Sequence, residues 1–189
     1  MGDGVTMWYY PFTTRDMIAH EMAHGLVEQY SHLSYVGDSG AIDEAFGDMT
    51  AKLAEYFVTG KTTWTFGADL MTNKGSVVRY LDQPSKDCDG REPGDYCSID
   101  HMRQYRSDLY NHFKAGIFNR LFYLISSTPG WNTKTAYDVM LGANMHYWTQ
   151  NSTLQSAGCE LISAAKDLRY DVTVIKSSLM TVGINYTDC

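Results

Sequence analysis

The densest chemistry in this 189-residue chain lies in five residues, His20-Glu21-Met22-Ala23-His24. Four residues turn an α-helix by about 400°, so two imidazoles at that spacing leave one face a turn apart. Both can then reach one Zn²⁺ at roughly 2.0–2.1 Å. Glu21 sits about 100° round the helix, beside such an ion but outside its ligands, where a carboxylate can act as base toward an activated water. A catalytic zinc takes a third protein ligand and keeps a fourth position open. Glu44 and Asp48, spaced i and i+4, put two carboxylates on one face of a second helix. If that helix lies antiparallel to the first, Glu44 comes near His24 as a ligand. Asp48 comes near His20, where it can accept the free ring N–H and set the tautomer. Taken alone, the same pair also fits two solvated helix carboxylates.

Helical periodicity supplies both supports. Met17, Ile18, Met22 and Leu26 predict a helix that starts from Thr13 or Thr14 as cap, carries Asp16 in its first turn and runs to about Tyr30. Ile42, Ala45, Phe46, Met49 and Leu53 predict a second, starting after Gly37-Asp38-Ser39-Gly40 and ending near Gly60. The short link between them calls for antiparallel packing. Lys61 to Asp108 mixes Gly, Pro, Asp and Thr and reads as loops with one or two short helices. Helical spacing returns over 116–126, 133–148, 155–168 and 172–182, with no strong strand alternation and no internal repeat. The expected fold class is mainly α, with a long irregular region in the middle.

The apolar fraction of 44% and charged fraction of 20% are those of a folded globular chain, which excludes disorder. The length suits a single domain over 1–189. A net charge of −7 argues against a phosphate-tracking surface, so no nucleic acid partner is expected. No apolar run approaches the ~18 residues of a membrane span, and no membrane partner is expected. Cys88, Cys97, Cys159 and Cys189 form no CxxC pair, and their even number points to two disulfides in an exported protein. Sequence neighbours suggest Cys88–Cys97 and Cys159–Cys189, contributing roughly 3 and 4 kcal/mol by loop entropy; free buried thiols are the alternative. The opening Met1-Gly2-Asp3-Gly4 lacks a charged-then-apolar leader, so an upstream segment is expected to have been removed or left out.

Together, His20-Glu21-Met22-Ala23-His24 and Gly40-Ala41-Ile42-Asp43-Glu44-Ala45-Phe46-Gly47-Asp48 resemble the thermolysin family of zinc metalloendopeptidases. The likeness is greatest to its elastase-like, pseudolysin- and vibriolysin-like branch. It extends to Gly2-Asp3-Gly4, Arg79-Tyr80-Leu81-Asp82-Gln83-Pro84, Ser156-Ala157-Gly158-Cys159 and Thr181-Val182-Gly183. The resemblance implies the helical C-terminal domain of a secreted protease that hydrolyses peptide bonds. His20, His24 and Glu44 would hold one catalytic zinc, Glu21 would be the general base, and Tyr35 and His112 would donate to the tetrahedral oxyanion. Arg79 would hold a substrate carbonyl and, with Met17 and Val78, shape a pocket for the bulky apolar residue after the cleaved bond, Phe or Leu being favoured. Spacing alone leaves Tyr35 as possible packing, His112 without a settled role and Arg79 equally suited to an ion pair with Asp82.

Several positions depart from the family pattern. The β-rich N-terminal domain that forms the other wall of the cleft is absent from this chain. An upstream domain or propeptide is therefore an expected partner beside peptide and protein substrates. The alternative reading is a truncated, zinc-stabilised binding or structural module without activity of its own. Asp43 replaces an Asn and adds negative charge close to His24, and Asp108 is the nearest candidate to orient His112. At the far end of the helix pair, the family holds calcium between carboxylates matching Asp16 and Glu55. Here Lys52 and Thr63 stand where the branch has acids. An ammonium neutralises much of the charge that calcium would neutralise, and the exchange removes hard oxygen ligands. The expectation is a Lys52 bridge to Asp16 or Glu55 and no calcium.

Overall fold

A computed structural model describes residues 8–88, 90–92 and 96–189; Gly2-Asp3-Gly4 and part of the loop between Cys88 and Cys97 lie outside the described residues. Helix α1 spans Arg15–Gln29. Thr14 caps it by accepting from the Met17 N–H, and Asp16 occupies the first turn, where the helix dipole favours an acid. Its buried stripe is Asp16, His20, Ala23 and Val27, so the face turned inward is the one that carries the histidines.

Helix α2 spans Gly37–Thr59, starting four residues earlier than the glycines suggest. Gly37 to Gly40 form its first turn because neighbours tie them down. Asp38 accepts from the Tyr105 hydroxyl and the Leu154 N–H, and Ser39 donates to the Ser152 carbonyl. A Cβ on Gly40 would stand 2.3 Å from Asn111 Nδ2, so glycine is set there by a close approach and not by a helix break. The far end closes as expected on Gly60 in the left-handed region.

Helix α2 is the central element. It packs against α1 and against α3 (Asn111–Lys114), α4 (Gly116–Ser126), α5 (Thr133–His146) and α6 (Leu154–Asp167). Helix α7 (Val172–Thr181) completes the bundle against α4 and α6. Asn132, Thr153 and Asp171 cap α5, α6 and α7. The core joins Phe46 and Met49 of α2 to Phe118, Leu121 and Phe122 of α4, with Tyr137 and Trp148 closing on Phe46. Surrounded in this way, α2 is buried at every position from Ser39 to Met49, its acids included.

The middle region holds a two-stranded antiparallel sheet, β1 (Thr65–Phe66) and β2 (Arg79–Tyr80), pairing Phe66 with Arg79. Two residues per strand are too few to show alternation in sequence. The expected short helices there are 3-10 turns at Ala68–Leu70, Pro84–Cys88 and Met102–Gln104. Both disulfides form as expected, Cys88–Cys97 and Cys159–Cys189. Among the described residues no helix is long and apolar enough to cross a membrane.

Candidate metal centre and cleft

Helices α1 and α2 meet closely enough at His20 that a Cβ on Gly47 would lie 2.5 Å from the imidazole, so glycine there lets the ring rest on α2. One ligand atom each of His20, His24 and Glu44 lies within 4.8 Å of the others. The His20 Nε2 to Glu44 Oε2 distance is 3.3 Å. Two atoms at roughly 2.05 Å from a tetrahedral ion stand about 3.3 Å apart, so this pair fits one edge of a zinc coordination shell. Glu44 Oε2 is buried and has no hydrogen-bond partner although two imidazole nitrogens stand close to it. A buried carboxylate oxygen is costly without a donor or a cation, so the residues present fit a bound metal.

Carboxylates behind the rings orient them. His20 Nδ1 lies 3.1 Å from Asp48 Oδ1, and His24 Nδ1 lies 2.8 Å from Asp43 Oδ1. A proton on each Nδ1 donates outward and leaves each Nε2 lone pair free. The Asp48 contact is the one expected from antiparallel helices. The position beside His24 Nδ1 goes to Asp43, and the imidazole nearer Glu44 is that of His20. Asp48 is wholly buried and also accepts from Arg79 Nε at 2.8 Å, Arg79 Nη2 at 2.6 Å and Asn119 Nδ2 at 2.8 Å. Burial works against its ionisation, but the Arg79 charge and the bonds from His20 and Arg79 hold its carboxyl far below the usual range. Burial likewise opposes a charge on His20, and the bond to Asp48 with the nearby Glu44 carboxylate outweighs it, raising that imidazole to about 9 in the metal-free protein. His24 is raised chiefly by its bond to Asp43.

Arg79 forks onto Asp48 and stacks over Phe66, 4.5 Å from the ring centroid, as the β1–β2 register requires. Asp82, its alternative partner by spacing, pairs instead with Lys86 at 2.9 Å. The Tyr35 hydroxyl donates to Glu44 Oε1 while the residue stays 53% exposed to the cleft. Burial and the Glu44 charge raise its phenol. His112, on α3, places Nε2 3.1 Å from Glu44 Oε2. Burial lowers its imidazole, and its buried Nδ1 has no hydrogen-bond partner. Asp108 does not orient it: that carboxylate is exposed and forked by Arg106 at 3.1 and 3.0 Å.

A cleft of about 910 Å³ unites these groups. It is lined by every sequence-derived site residue of the metal and substrate sets except Asp48, which stands behind His20: Met17, His20, Glu21, His24, Tyr35, Asp43, Glu44, Val78, Arg79 and His112. Sequence reasoning missed the apolar lining from Val27, Leu33, Phe66 and Leu70, and the Asn119 bond to Asp48. Val27, seven residues after His20 on the same stripe, was findable by periodicity. Phe66 and Leu70 arrive through the irregular region and leave no such signal.

At the other end of the pair, Lys52 is 1% exposed. Its ammonium donates to Glu55 at 3.0 Å, to Asp16 at 3.3 Å and to the Thr65 carbonyl. Thr63 donates to Glu55 through its N–H and its hydroxyl. The expected bridge thus reaches both acids.

Comparison with known proteins agrees with this architecture. Residues 31–184 match the thermolysin metallopeptidase alpha-helical domain, and the chain belongs to that family. A zinc metalloproteinase of Legionella pneumophila is 43% identical over 190 residues, covering 100% of this chain and 33% of the relative. A hemagglutinin/proteinase of Vibrio cholerae is 44% identical over 97% of this chain and 29% of its own length. The chain therefore spans about a third of the length of these two relatives. The precursor of protealysin, a metalloproteinase from Serratia proteamaculans, shares the fold with a TM-score of 0.80 at 22% identity, covering 97% of this chain and 62% of that structure.

Proposed function

We propose that this chain is the zinc-binding catalytic domain of a secreted metalloendopeptidase, with His20, His24 and Glu44 as the metal ligands. The observation that supports it most directly is the buried Glu44 oxygen, unbonded among converging imidazoles, with Glu21 lining the same open cleft. Zinc bound there supplies a Lewis acid that polarises the scissile carbonyl and acidifies a water. Glu21, exposed on α1 and outside the ligand set, takes the proton of the attacking water and passes it to the departing amine. Tyr35 and His112, each standing against Glu44, donate to the developing oxyanion. Met17, Val78 and the Phe66-backed Arg79 shape the pocket for a Phe or Leu side chain after the cleaved bond, Arg79 also holding a substrate carbonyl.

An upstream β-rich domain, which the greater length of the relatives supports, is the partner that forms the opposing wall and positions the substrate backbone. The exposed Trp8, Tyr10 and Met22 flanking and lying on α1 are apolar surface for it to cover. Lys52 occupies the far end of the helix pair in place of calcium.

Zinc analysis and peptide hydrolysis by the wild type and Glu21→Gln test the assignment. One zinc per chain is expected in both, with cleavage of an internally quenched Phe or Leu peptide lost only in the variant. Metal loss in Glu21→Gln, or full activity retained, overturns the role of Glu21. Zinc binding without hydrolysis in the natural full-length protein favours a structural module.

A further inference from the structure

His112 is the one imidazole of the cleft whose second nitrogen is not met by a carboxylate. His20 and His24 each lean on an acid through Nδ1, whereas His112 Nδ1 is buried with no partner. An imidazole meant to donate from Nε2 still needs a fixed ring plane, and a hydrogen bond on the far nitrogen is the usual device. The structure holds a different one. The Tyr110 ring lies parallel to the His112 ring, with 7° between planes and 4.8 Å between centroids. Tyr110 is the residue before α3, and its carbonyl accepts from the Phe113 and Lys114 N–H groups, which anchors the tyrosine to the same turn as His112. Phe113 packs edge-on against Tyr110 at 6.0 Å and holds the ring from another side. Asn111 ties this turn to the metal helices by donating to the Tyr35 carbonyl at 3.2 Å.

We infer that Tyr110 is the positioning residue of His112, fixing the imidazole plane by ring stacking where no acid holds Nδ1. The inference rests on the reading of His112 as an oxyanion donor. Stacking fixes the plane through shape and the ring quadrupole, so phenylalanine serves as well as tyrosine and leucine does not. The competing orienter is Asp87, which lines a small cavity of about 220 Å³ together with His112 and could act there through water. Its carboxylate is already engaged by Ser98, through the N–H at 2.9 Å and the hydroxyl at 2.6 Å.

The test uses the zinc-loaded natural full-length protein and its Tyr110→Phe, Tyr110→Leu and Asp87→Asn variants. Steady-state kinetics on a quenched peptide should show kcat about tenfold lower for Tyr110→Leu, with KM within about twofold and zinc content unchanged, because the lost interaction acts on the transition state. Tyr110→Phe and Asp87→Asn should match the wild type. NMR of the His112 ring protons gives a readout independent of turnover: an upfield ring-current shift in wild type and Tyr110→Phe, lost in Tyr110→Leu. Wild-type kcat in Tyr110→Leu, or a fall in Asp87→Asn alone, overturns the inference. An inactive wild type whose His112 signals still show stacking overturns the oxyanion reading and leaves the positioning itself measured.

Discussion

The two ends of the α1–α2 pair solve one electrostatic problem in different ways. Each gathers carboxylates inside the protein, Glu44, Asp43 and Asp48 at one end and Asp16 and Glu55 at the other. At the far end Lys52 supplies the positive charge from within the chain, and its ammonium is bonded to both acids and a backbone carbonyl. Each end leaves one buried carboxylate oxygen without a hydrogen bond, Asp16 Oδ1 and Glu44 Oε2, but where Asp16 has the Lys52 ammonium, Glu44 faces imidazoles, Arg79 being spent on Asp48. A cluster with its own ammonium supports the fold, whereas a carboxylate facing imidazole nitrogens leaves a place for a metal.

The largest effect expected from breaking this comparison is at Asp48. Asp48→Asn strips the half-buried Arg79 and the buried His20 of their shared anion and should cost about 3–5 kcal/mol in urea unfolding of the metal-free protein. Because the folded carboxyl is held well below its unfolded value, its contribution is present above the ordinary Asp range and is lost as pH falls through the folded value. The gap between wild type and Asp48→Asn should therefore be widest near neutrality and narrow in acid. A gap that does not change with pH would show that Asp48 acts by shape alone.

Removing the internal cation at the far end should cost somewhat less. Lys52→Met leaves Asp16 and Glu55 facing each other and should lower stability by about 3 kcal/mol, part of it recovered by millimolar calcium. Thermal melts of the zinc-loaded wild type should be the same with and without EGTA. A calcium-dependent stabilisation of the wild type that disappears in Asp16→Asn would break the comparison, because this end would then need an outside cation too.

The smallest effect sharpens it. Glu160 is a partly buried acid with one oxygen unbonded, and burial raises its carboxyl. A raised folded value means stability that is full below the unfolded value and declines as pH rises through the folded one. Glu160→Gln should melt slightly higher than wild type at pH 7 and equal to it at pH 3, as read by calorimetry at the two pH values. A lower melting point at pH 7 would show that the charged form has an unrecognised partner.

Local patterns carried most of the helices and the spacing of the metal residues. The buried stripe of α1, the caps Thr14 and Gly60 and the four C-terminal helices are short-range features, since each depends on neighbours a turn away. Cys88–Cys97 and the Lys52–Glu55 half of the bridge were equally legible, because chain proximity or helical register brings their members together, whereas Lys52 reaches Asp16 only through the packing of α2 on α1. The start of α2 was not, because Gly40, which reads as a break, is demanded by Asn111 and the Tyr35 carbonyl, contacts made only after folding.

By itself, then, the sequence determined which residues could hold a metal and which helices present them, since i, i+4 spacing places groups on one face whatever the surroundings. Only the tertiary structure decided how those groups are shared. Arg79 turns from the nearby Asp82 to Asp48, Asp108 goes to Arg106, and His112 is left against Tyr110. Such pairings depend on the helix register at Gly47 and on a two-residue sheet far along the chain, and partners in a low-dielectric interior are chosen by that three-dimensional proximity.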